Sequence, residues 1–96
     1  MPYIKPEGRS YIDGHIFPLG GLINSPGELN YAITELVHDY IKHKKLCYST
    51  VNEAAGVLNC VQAELYRTVI GPYEQKKMRE NGPISDLDDD SHERMR

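Results

Sequence analysis

The residues best suited to chemistry gather late in the chain: Tyr66, Arg67, Tyr73, Lys76, Lys77 and Arg79. Phenol rings can stack on a planar base, while guanidinium and ammonium groups supply the charge that a phosphate or carboxylate needs. Tyr66 and Tyr73 stand seven residues apart, which puts them on one face of a helix that is only mildly kinked. The competing assignment leaves the rings on a core rim and pairs the cations with Glu64, Glu74 and Glu80. A second anion-binding candidate is the helix start at Gly27, where backbone N–H groups lie beside Asn30 and Tyr31. Glu28 competes there, since a carboxylate in a capping box already fills that role.

Other constellations are weaker. Glu35 and His38, three residues apart, match half of a carboxylate-bridged di-metal motif, and no second half is present. Glu28, Glu35 and Asp39 with Glu53 and Glu64 could form a magnesium cluster of the kind used by all-helical nucleotide pyrophosphohydrolases, but without their denser carboxylate pairing. Cys47 and Cys60 form no CxxC pair and have no histidine at metal spacing, so both read as reduced structural thiols. Gly-rich phosphate loops, GxSxG elbows and HExxH are absent. The expectation is a non-enzymatic protein with no metal or cofactor.

Two helices must position these residues. Ser25-Pro26-Gly27-Glu28 combines an N-cap serine, a proline at the first helical position and a glutamate three residues after the cap. Leu29, Ala32, Ile33, Leu36, Val37 and Tyr40 then follow one helical stripe, and Lys42 to Lys45 complement the negative end of the dipole, predicting a helix over 26–45. Thr50 to Glu53 reads as a second capping box, with Ser49 a competing cap. The stripe Val51, Ala54, Leu58, Val61, Leu65 predicts a helix over 50–80, kinked or briefly broken at Gly71-Pro72 and stopped at Asn81-Gly82-Pro83. The short connection makes the pair an antiparallel helical hairpin.

Residues 1–24 carry Gly8, Gly14, Gly20, Gly21, Pro2, Pro6 and Pro18, which predicts a lead of one or two short helical turns folded back over the rest. Residues 83–96 hold five acidic residues against two basic ones and read as a disordered acidic tail. The fold class is therefore all-α, with one helical domain over 1–82. On the second helix Gly56, Cys60 and Ala63 form a small-residue surface that would admit another backbone. Two helices and a lead bury too little for stability alone, so a homo-oligomer is expected.

With 96 residues, 40% hydrophobic and 26% charged, the chain allows one small core. The body is electrically balanced, nine basic against nine acidic residues over 1–82, which disfavours duplex nucleic-acid binding. The start has no signal-peptide order and no apolar run approaches the ~18 residues of a membrane span, which makes cytoplasm the default compartment.

An MPYI start, Pro26-Gly-Glu-Leu-Asn-Tyr31 with Ala32-Ile33-Thr34, Tyr48, Asn52-Glu53, Gly56-Val57-Leu58, Glu64 with Tyr66-Arg67, and Pro72-Tyr-Glu74 with Lys77 and Asn81-Gly82 resemble a small uncharacterised protein family of bacteriophages and bacteria. That pattern has a regular helix where this chain has its glycine-rich lead, and it lacks the acidic tail. The resemblance implies a mobile-element origin, a host-cell cytoplasmic location and no particular activity. Small phage proteins without catalytic motifs often act by binding. The leading expectation is a sponge for a cyclic nucleotide signal of host defence, held by Tyr66, Tyr73, Arg67, Lys76 and Lys77; the rival is a protein-directed inhibitor of a host defence enzyme.

Overall fold

A computed structural model of the chain describes residues 2–89, and every regular element among them is helical. The elements are α1 (Pro6–Gly20), α2 (Pro26–Lys44), α3 (Tyr48–Leu65), a π-helical turn (Tyr66–Ile70), α4 (Gly71–Asn81) and a 3-10 turn (Asp86–Asp88). The chain divides into two units, Met1–Cys60 and Val61–Arg96.

In the first unit, the glycine-rich lead corrects the expectation of short turns: α1 is a regular helix of 15 residues. Its prolines stand where a helix tolerates them. Pro6 opens the first turn, where an N–H has no partner to lose, and Pro18 lies in the last turn, where it removes a single bond. The Arg9 side chain donates from Nε to the Ile4 carbonyl at 2.7 Å and fastens the segment before α1 to the helix. No residue of α1 is buried.

The start of α2 follows its sequence signature. The Ser25 hydroxyl accepts the Glu28 N–H at 3.1 Å, and Glu28 Oε1 reaches back to accept the N–H of Asn24, one residue beyond the cap, at 2.7 Å. The helix ends at Lys44, and Lys45 takes a φ of 147° to turn the chain. A side chain in that region is strained, since its Cβ crowds the backbone.

Helix α3 begins two residues before the predicted cap at Thr50. Cys47 takes the cap position, its carbonyl accepting the Val51 N–H at 3.0 Å. The second capping box does not form, because the earlier start leaves Thr50 inside the helix; Glu53 accepts a hydrogen bond from the Tyr40 hydroxyl at 2.9 Å. That bond ties the end of α2 to the start of α3, beside a hollow of about 270 Å³ lined by Leu36, Val37, Tyr40, Ala54 and Val57. Among the described residues Ala54 and Thr50 are the buried ones. Most of the apolar stripe of α2 remains in solvent, Leu36 at 52% exposure.

In the second unit the expected kink at Gly71-Pro72 is realised as the π turn. Pro72 has no N–H for the ordinary bond to Thr68, and the Gly71 N–H reaches five residues back to Tyr66 O. The Thr68 hydroxyl donates to the Glu64 carbonyl at 2.8 Å, a side-chain bond that loosens the α ladder at the same place. Glycine at 71 lets the backbone approach closely, since a Cβ there would stand 3.0 Å from Tyr66 O. Gly82, at φ 88°, ends α4 with its N–H on the Met78 carbonyl at 2.8 Å. The first part of the supposed disordered tail is ordered by a small capping box. Ser85 Oγ accepts the Leu87 N–H at 3.2 Å, and the two Asp88 oxygens accept the N–H groups of Ile84 and Ser85 at 3.1 and 2.9 Å. Residues 90–96 of that predicted tail lie outside the described residues.

Candidate functional site

The π turn borders a hollow of the second unit. It encloses about 620 Å³ and is lined by Tyr66, Arg67, Gly71, Pro72, Glu74, Gln75, Lys77, Met78, Gly82, Ile84 and Asp88. Of the residues singled out in the sequence, Tyr66, Arg67 and Lys77 line it, whereas Tyr73 and Lys76 do not. The reason is helical phase. A π turn adds about one residue to the helix, which rotates everything after it by roughly 100°. The seven-residue spacing therefore no longer aligns the two tyrosines, and the expectation of one shared face is corrected.

Charge in the hollow is mixed. Arg67 Nη2 lies 2.6 Å from Glu64 Oε2, an i,i+3 pair that steadies the guanidinium on the helix. Lys77 is half-buried, and its ammonium stands 5.7 Å from the Tyr73 ring centre and 3.4 Å from Glu80 Oε1. Such exposed i,i+3 pairs are worth a few tenths of a kcal/mol. Glu74 and Asp88 bring carboxylate acceptors to the same space. The arrangement offers one aromatic ring, two cations and two carboxylates around an open volume.

The remaining predicted residues lie elsewhere. Asn30 accepts the Thr34 hydroxyl at 3.2 Å along α2. Tyr31 lines a separate groove of the first unit, about 410 Å³, with Leu19, Leu22, Ile23, Glu28, Glu35, Leu36 and Asp39 among its walls. Among the described residues no three His, Cys, Asp or Glu side chains converge as a metal site requires. Glu53 is engaged by Tyr40 and Glu64 by Arg67.

The two cysteines are free. Cys47 is half-buried, with its sulfur 3.4 Å from Ser49 Oγ and 3.3 Å from Thr50 Oγ1. Hydrogen bonds from Ser49 and Thr50, hydroxyls and backbone N–H groups alike, stabilise the thiolate and lower its pKa to about 7. Tyr40 shows the opposite effect, the Glu53 carboxylate holding its phenol protonated above the usual range.

A family model described as a domain of unknown function, DUF6899, matches residues 1–84. The chain belongs to the DUF6899 family. No curated protein and no solved structure matches it. The DUF6899 match takes in α1 through α4 and the whole π turn, so the hollow, apart from Asp88, falls inside the family domain. Eight of its lining residues were not among the predicted site residues. Gly71-Pro72 carried a signal, read as a kink; Ser85 to Asp88 carried another, the capping-box spacing, masked by the acidic composition around it.

Proposed function

We propose that this DUF6899 chain is a non-enzymatic binding protein that works as a homo-oligomer of helical hairpins and holds a small phosphorylated nucleotide in the hollow at the π turn. The observation that carries the reading is the combination of ring, cations and carboxylates around that hollow. Tyr66 offers a face for a base, Arg67 and Lys77 offer donors to phosphate, and Glu74 and Asp88 offer acceptors to the amino edge of a base. π turns in helices occur often where ligands bind, because they open a carbonyl ladder and displace side chains from the regular stripe. The resemblance to phage proteins favours a nucleotide signal of host defence as the ligand.

Self-association is supported by what the first unit leaves uncovered. Tyr11, Phe17, Leu22 and Tyr31 are mostly exposed, and Ala54 alone among the described apolar residues is buried. Each large apolar side chain brought out of water contributes about 1.5–3 kcal/mol, so pairing such faces supplies the interior that one copy lacks. Titration calorimetry with a panel of cyclic di- and trinucleotides tests the ligand assignment. Heat with a saturable isotherm, weakened at least tenfold by Tyr66→Ala, is the expected outcome; absent heat across the panel at high protein concentration removes it.

A further inference from the structure

The first unit holds a groove that the nucleotide site does not use. One wall is apolar, made by Leu19, Leu22 and Ile23 where α1 runs into α2, and the opposite rim is α2, with Glu28, Glu35 and Asp39 beside Tyr31 and Leu36. Leu22 is 72% exposed and Tyr31 67%. Glu28 caps the N–H of Asn24, and among the described residues no cation pairs with any of the three carboxylates. An apolar trench edged by carboxylates suits an aromatic ring flanked by cations.

Helix α4 carries that chemistry on the face turned away from the π hollow. Tyr73 and Lys76, three residues apart, share this face, the Lys77 ammonium stands 5.7 Å from the Tyr73 ring centre, and Arg79 lies at the edge of the face beside Met78, Gly82 and Asp88. Tyr73 is 55% exposed. Glu80, the acidic residue of the same face, is engaged by Lys77. We infer that the α1–α2 groove of one copy seats the Tyr73–Lys76–Arg79 face of α4 from a second copy, Tyr73 entering the apolar trench and Lys76 and Arg79 meeting Glu35 and Asp39. The inference rests on the self-association proposed above and assigns its surfaces.

Charge reversal on the full chain tests it by sedimentation. Glu35→Lys with Asp39→Lys, and separately Lys76→Glu with Arg79→Glu, should each weaken self-association at least tenfold. The four substitutions together should restore it to within about threefold of the wild type, and the wild-type assembly should loosen as salt rises. If a reversal lowers helicity by circular dichroism, cross-linking replaces it: Leu22→Cys with Tyr73→Cys, in a background of Cys47→Ser and Cys60→Ser, should give intermolecular disulfides under mild oxidation. A wild type that sediments as a single chain overturns the assembly itself. A wild type that assembles while the reversals change nothing, or a cysteine pair that stays unlinked, overturns the assigned surfaces and leaves the assembly standing.

Discussion

In residues 1–60, long helices bury Ala54 and Thr50 and leave Leu22, Tyr31 and Leu36 in water; in residues 61–89, a shorter stretch of chain bends around a hollow through side-chain and backbone hydrogen bonds. The first region is rich in local order and poor in interior. The second gains its form from a proline that the α ladder cannot accommodate and from a glycine that lets the Tyr66 carbonyl approach. Local helix signals are thus enough to make a helix, and not enough to give it a partner. On the proposed reading, recognition falls to the second region, and self-association joins the uncovered faces of the first to α4 of another copy.

The largest effect should come from the apolar side of the comparison. Leu36→Asp combined with Val57→Asp places charge on the hollow beside Ala54, and light scattering should then report a single chain with reduced helicity. Next in size is Gly71→Ala. Its Cβ would meet Tyr66 O at 3.0 Å, so the π turn should lose about 1–3 kcal/mol, seen as faster amide exchange over 61–89 with residues 1–44 unchanged. Lys45→Gly should act the other way. Relief of the strained backbone at φ 147° should raise stability by about 1 kcal/mol in thermal melts.

The smallest effect concerns Cys47. In a Cys60→Ala background its alkylation rate should rise with pH around a midpoint near 7, and Ser49→Ala with Thr50→Val should move that midpoint upward. The sign for stability follows from the same bonds. A thiol whose pKa is lower in the folded chain contributes stability above its unfolded pKa, and that contribution is lost as pH falls through about 7.

Much of α2 was legible because its signals are local: Ser25, Pro26 and Glu28 fix the start, and the helix ends within the basic run at Lys44, one residue from the predicted boundary. The lead was not. Counting its glycines and prolines suggested broken turns, yet Pro6 opens the helix, where proline costs little, and Pro18 stands inside the last turn, where the helix loses one bond just before its end at Gly20. The phase of α4 could not be read from spacing, since stripe counting assumes every N–H bonds four residues back; one π turn cancelled the alignment of Tyr66 with Tyr73. Tyr66, Arg67 and Lys77 were found by residue type, whereas Gln75, Met78 and Asp88 enter the hollow only through the fold.

Sedimentation of the purified chain at micromolar concentration tests most directly whether the first region takes its interior from other copies. The account predicts a mass that is a multiple of 10.9 kDa and falls toward the single chain on dilution, with helicity falling alongside it. A folded 10.9 kDa species that keeps its helicity at every dilution would contradict it.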